Sequence, residues 1–156
     1  MLDGGLRVSE VVTLNESDIL TNQLVIRNSK NNKDRAVVLS PIMKKEIIRY
    51  QRIKKKRYYG KDKDAFIVSY KQRRLNEKAI WQMLREITKM AGTRNMNPHL
   101  LRHTYASMQL KNGLDIFTLS LNMGHSEIST TQEYLKSLKS EDFLEKSLQT
   151  STLMNL

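Results

Sequence analysis

Three helix start signals, each closed by a glycine, divide residues 76–124 and leave little room there for anything but helix. Asn76 can accept a hydrogen bond from the free N–H groups of a first turn, and Gly92 can take the left-handed conformation that ends a helix. Between them Ile80, Leu84, Ile87 and Ala91 recur at i, i+4, i+7 and i+11, the rhythm of one apolar helical face. Asn97 followed by Pro98 opens a second helix that ends at Gly113, because the missing proline N–H costs nothing at the first helical position. Asp115 opens a short third helix reaching Gly124, and Ser129 with Gln132 reads as a capping box before Tyr134.

The first half mixes both kinds of structure. Leu6 to Leu14 reads as a helix, with Leu6, Val8, Val11, Val12 and Leu14 as its apolar positions. Gln23 to Asn28 and Arg35 to Leu39 are short β-prone runs joined by the polar residues Ser29 to Asn32, which is a hairpin pattern. Ser40 before Pro41 starts a helix carrying Met43, Ile47 and Ile48, and this helix ends in a basic, tyrosine-rich stretch before Gly60. Ala65 to Ser69 is a candidate third strand. The expected fold is therefore α+β and mainly helical, with a small antiparallel hairpin or sheet early in the chain packed against a helical bundle.

Composition narrows the function. With 156 residues the chain fits one compact domain, and it contains no apolar run near the roughly 20 residues of a membrane span. Met1 to Glu10 hold Asp3 and Arg7 where a secretory signal would be apolar, so none is expected. Zero cysteines exclude disulfides and thiolate metal sites and suit a cytoplasmic protein. The net charge of +11 points to a polyanionic partner. An acidic membrane surface would call for an amphipathic helix with clustered Trp, Phe and Leu, but here one Trp and three Phe are scattered. Nucleic acid is the better fit.

His99-Leu100-Leu101-Arg102 places an imidazole and a guanidinium at i and i+3, on one face of a helix's first turn. Free backbone N–H groups and the positive end of the helix dipole lie nearby, so the pattern describes an anion site, although such pairs also occur on ordinary solvated faces. Gly124-His125 follows at the end of the next helix, and Tyr134 lies nine residues beyond His125. Taken with GLRVSE around Arg7, a hairpin-tip lysine in SKNNKDR, HLLRHTYA and MGH, this order resembles the tyrosine recombinase (phage integrase) family. The resemblance runs from Arg7 to Tyr134.

It implies a catalytic domain that cuts and rejoins double-stranded DNA through a 3′-phosphotyrosyl link, within a tetrameric synapse in a prokaryotic cell. Arg7 and Arg102 would clamp the non-bridging oxygens, where bidentate guanidiniums suit a pentacoordinate phosphorus. Tyr134 would be the nucleophile, His99 its base and His125 a donor to the phosphate. Lys30 would protonate the departing 5′-oxygen, with Lys33 in the same turn as its rival. Glu10 resembles a supporting acidic residue that orients the cluster without reacting. No metal, nucleotide or other cofactor is implied.

Other readings stand beside these. His125 could be a C-cap side chain, Tyr105 and Trp81 read as core, and His103 as a packed or surface residue. Lys54 to Arg57, with Tyr58 and Tyr59, could be a solvated helix end or a phosphate contact. The family resemblance also leads one to expect an N-terminal core-binding domain that residues 1–156 do not include, so the chain reads as a catalytic fragment. It further implies a tail, residues 141–156, with Phe143, Leu144 and Leu148, that docks on a neighbouring subunit, the alternatives being a helix packed back in cis or a disordered end. A type IB topoisomerase, a telomere-resolving enzyme or a non-catalytic DNA-binding module are the alternatives.

Overall fold

The computed structural model describes residues 1–27, 34–57, 64–125 and 128–134. In chain order these form α1 (Val8–Thr13), a 3-10 turn (Glu16–Asp18), β1 (Gln23–Ile26), β2 (Arg35–Val38), α2 (Pro41–Arg57), α3 (Glu77–Ala91), α4 (Pro98–Lys111), α5 (Ile116–Met123) and α6 (Ser129–Gln132). The fold is α+β and mainly helical, and among the described residues the sheet has two antiparallel strands. No helix among them is long and apolar enough to cross a membrane.

The helix starts follow the caps. Asn76, Asn97 and Asp115 each accept a backbone N–H three residues on at 2.9 Å, and Ser40 Oγ accepts from Met43 N–H at 3.1 Å. In the hairpin Leu24 faces Val37, and both are buried with Ile26. Strand alternation therefore puts Arg35, Val37 and Leu39 on one inward side.

Two apolar clusters form. The first joins Leu6, Leu14, Leu24, Ile26, Val37, Leu39, Ile47 and Phe66 from the hairpin, α2 and their connections. The second joins Tyr105, Ala106, Leu110, Leu119 and Met123 from α4 and α5. Their meeting line is polar, and it carries the site.

Four local expectations need correction. Ala65 to Ser69 is not a strand: it makes only single bridges, Asn15 with Ala65 and Val68 with Arg74, because the chain turns back at Ser69–Gln72 before a ladder can grow. In α3 the inward line is Ile80, Leu84 and Thr88, while Ile87 is exposed. A period of 3.6 allows either i+7 or i+8, and packing selects i+8. In α2 Ile47 is buried and Met43 packs beside it, but Ile48 is exposed, as a step of about 100° requires. Finally, Ser129 does not cap α6: the preceding Ile128 is already helical (φ −65, ψ −31), which leaves Ser129 inside the turn.

At the basic end of α2, Lys55, Lys56 and Arg57 are exposed, and among the four basic residues only Lys54 turns back to the protein. Lys54 Nζ reaches Glu16 Oε1 at 2.5 Å and also donates to the Ala65 and Phe66 carbonyls. Tyr58 and Tyr59 lie outside the described residues, as does the tail at 141–156.

Candidate active site

The seam between the two clusters is built on one carboxylate and three guanidiniums. Glu10 follows Arg7 by one helical turn and accepts the Arg7 backbone N–H at 2.7 Å and Arg7 Nη1 at 3.1 Å. Arg35 arrives from the inward side of β2 and grips the same carboxylate with both Nη atoms, each at 2.8 Å, while its Nε donates to the Asn122 carbonyl at 2.9 Å. Arg102 Nη1 stands 3.9 Å from Glu10 Oε2. Burial works against ionising Glu10, yet the Arg35 hydrogen bonds, the Arg7 N–H and the charges of both arginines hold its carboxyl below the ordinary range. Three positive charges around one negative leave an excess of two, the electrostatic preparation an anion requires.

Arg102 is spent largely on the backbone. Its guanidinium donates to the Gly5 carbonyl, to Met123 O at 2.7 Å and to His125 Nε2 at 2.9 Å, and its side chain is 7% exposed. Burial and the neighbouring Arg7 lower its pKa to about 10, so it stays charged at neutral pH. Arg7 donates to Met123 O at 3.4 Å and Gly124 O at 3.1 Å, but at 40% side-chain exposure it also meets solvent. Two glycines make this approach possible. A Cβ on Gly5 (φ 61) would stand 2.6 Å from the Tyr105 ring, and one on Gly124 (φ 64) would stand 2.8 Å from Arg35 Nη1.

Tyr134 follows α6 in a 3-10 turn. Its ring lies parallel to His125, centroids 6.3 Å apart and planes 12° apart, and meets His103 edge-on at 5.1 Å. Its phenol also bears electrostatically on Arg102. A cleft of about 500 Å³ opens here, lined by His99, Arg102, His103, Glu133 and Tyr134 among others.

Four expected site residues therefore converge: Arg7, Arg102, His125 and Tyr134. His99 lines the same cleft from the exposed first turn of α4, where its ring packs edge-on against Trp81 at 6.0 Å. Trp81 is 37% exposed and is not core. Tyr105 is core, as expected. Lys30 and Lys33 lie outside the described residues. His125 is not a side-chain cap: its backbone N–H closes α5 onto Ser120 O at 3.1 Å, and its ring turns to Arg102 and Thr131.

Sequence reasoning missed Arg35, Thr131 and the contact of His103 with Tyr134. Arg35 had a signal, since an arginine sharing strand parity with Val37 and Leu39 must find an inward partner. Thr131 had none. Among the described residues no cluster of three or more His, Asp or Glu could hold a metal ion.

Comparison with known proteins adds the family. Residues 1–141 match the phage integrase family. The chain belongs to it. Tyrosine recombinase XerA of Pyrococcus horikoshii is 34% identical over 138 residues, which cover 85% of this chain and 46% of XerA. Tyrosine recombinase XerD of Oceanobacillus iheyensis is 37% identical over 134 residues, 83% of this chain and 45% of XerD. A crystal structure of XerA recombinase matches with a TM-score of 0.83 at 32% identity, over 95% of this chain and 54% of that one. The chain thus spans about half the length of the curated relatives it matches.

Proposed function

We propose that residues 1–156 are the catalytic part of a site-specific DNA recombinase that breaks and rejoins strands through Tyr134. The observation carrying this reading is that Arg7, at the start of α1, and Arg102 of α4 meet on the carbonyls at the end of α5 beside the His125 and Tyr134 rings, with Arg102 and Tyr134 lining one cleft. Binding alone would call for cationic side chains on the surface; it would not call for a tyrosine beside a guanidinium as buried as that of Arg102.

In the proposed step the Tyr134 phenolic oxygen attacks a backbone phosphorus, forming a P–O bond on the 3′ side while the bond to the 5′-oxygen breaks. Arg7 and Arg102 take up the charge that grows on the non-bridging oxygens. The phenol proton must go to a base, because a phenol with a pKa near 10 is mostly protonated at neutral pH. His99 is that base, and Lys30 supplies the proton to the leaving 5′-oxygen. Religation reverses the step without a nucleotide, since the phosphotyrosyl bond conserves the energy of the diester. Double-stranded DNA is the substrate, and strand exchange takes place in a tetramer in which residues 141–156 reach a neighbouring subunit. The relatives' name, tyrosine recombinase, supports the chemistry.

The test is incubation with a pool of nicked duplexes, in which cleavage beside the nick releases a short fragment and traps the adduct. A denaturing gel should show a covalent protein–DNA band that mass spectrometry maps to Tyr134 and that Tyr134→Phe abolishes. An adduct on another tyrosine, or one surviving in Tyr134→Phe, overturns the assignment.

A further inference from the structure

The arginine cluster leaves one buried contact without a role. Thr131 is fully buried (0% exposed), and its Oγ1 lies 2.7 Å from His125 Nδ1. The other ring nitrogen, Nε2, lies 2.9 Å from Arg102 Nη2. A guanidinium can only donate, so Nε2 carries no proton here and accepts. Burial and the charges of Arg102, Arg7 and Arg35 push the His125 pKa down to about 4, so the ring is neutral at neutral pH. A neutral imidazole has one N–H, which must therefore be Nδ1–H, donated to Thr131 Oγ1.

That direction conflicts with the role of His125 in the proposed reaction. To hydrogen-bond a phosphate oxygen, Nε2 must carry a proton and donate it. Once a phosphate oxygen draws the Arg102 N–H, Nε2 loses its donor and the ring can exchange tautomers: Nδ1 releases its proton to water and Nε2 takes one up, with no change in net charge. The partner of Nδ1 must then donate where before it accepted. A hydroxyl does both by rotating about its C–O bond, whereas a carbonyl or carboxylate can only accept and a methyl can do neither.

We propose that Thr131 is a positioning residue that allows His125 to switch tautomer, accepting Nδ1–H in the empty site and donating to bare Nδ1 when Nε2–H turns to a phosphate oxygen. Thr131 stands three residues before Tyr134, whose ring is parallel to that of His125. The turn that carries the nucleophile therefore also carries the hydroxyl, and a displaced Tyr134 segment would leave His125 in the wrong donor state. The switch rests on the recombinase reading for its phosphate; the empty-site tautomer does not.

The experiment is nitrogen-15 NMR of the chain with labelled histidine, where three histidines keep the spectrum assignable against His125→Gln. Ring shifts distinguish the two tautomers directly. In the empty wild-type chain His125 should be Nδ1–H, and adding inorganic phosphate should convert it to Nε2–H. Thr131→Val, which keeps the shape and loses the hydroxyl, removes the Nδ1 partner from both tautomers, so their ratio should stay near wild type. The Nδ1 resonance should instead lose its hydrogen-bond shift both in the empty chain, where Nδ1–H donates, and at saturating phosphate, where bare Nδ1 accepts. Thr131→Ser should restore both shifts. An Nε2–H ring in the empty wild-type chain overturns the proposal without recourse to any variant. So does an Nδ1 shift that Thr131→Val leaves unchanged in either state, or an Nδ1–H ring that persists at saturating phosphate. A missing Tyr134 adduct, with the empty chain still Nδ1–H, would instead count against the recombinase reading alone.

Discussion

Replacing Arg35 by methionine keeps the reach and apolar stem of the side chain but removes the fork that holds Glu10. The two side chains are 11% and 12% exposed, so the pair is well shielded from water. Removing one partner of a buried ion pair costs about 3–5 kcal/mol, because the other charge is left uncompensated. Here Glu10 retains the Arg7 N–H at 2.7 Å and Nη1 at 3.1 Å, which argues for the lower end. The Asn122 carbonyl also loses its Nε donor, worth about 1 kcal/mol. The expected loss is about 3–4 kcal/mol, or a fall in Tm of about 10 °C for a chain of this size. Urea titration should shift the midpoint with little change in slope, since the same surface is exposed on unfolding. Because the Glu10 pKa is lowered in the fold, its share of stability is fully present above the reference value of 4.5 and is lost as pH falls through the depressed folded value. The gap between wild type and Arg35→Met should therefore narrow in acid. A loss under about 1 kcal/mol, or a gap that stays constant to low pH, would refute the account of Glu10 as the keystone of the seam.

Three further outcomes follow from the same geometry. Gly124→Ala should destabilise by more than about 1 kcal/mol, since it must hold φ near 64 and push Arg35 Nη1 from 2.8 Å; an unchanged urea midpoint would show that the α5 end relaxes freely. His125 has a folded pKa lowered from 6.5 to about 4, so the unfolded chain binds the extra proton first and stability should fall as pH drops through that window; His125→Gln should flatten this part of the profile, and an equal slope in both would disprove it. If His99 is the base for Tyr134, then His99→Ala should lower the rate of adduct formation by about 100-fold or more. His103→Ala should lower it less, and the reverse order would transfer the role to His103, whose ring lies 5.1 Å from Tyr134.

Much of the secondary structure could be read directly from the residues. Asn76, Asn97 and Asp115 act on N–H groups within their own first turn, so no distant part of the chain can change what they do. The same holds for Gly92 and Gly124, whose left-handed φ is a local property, and for the alternation that sends Leu24, Ile26 and Val37 inward. The order of Arg7, His99, Arg102, His125 and Tyr134 was legible too, because motif spacing is a property of the line. Which side of a helix is buried was another matter: Ile87 and Thr88 are neighbours in sequence, and only the surface packed against α3 selects Thr88. The failed strand at Ala65 to Ser69 has the same origin, since a strand exists only where a partner runs beside it for several residues. The site shows the limit most clearly. Arg35, Glu10 and Asn122 are joined across 25 and 87 residues of chain, and Thr131 meets His125 only because α6 folds its hydroxyl under the ring. Hydrogen bonds and ion pairs act over about 3 Å of space and are indifferent to separation along the chain, so partners chosen that way are decided by the tertiary structure alone.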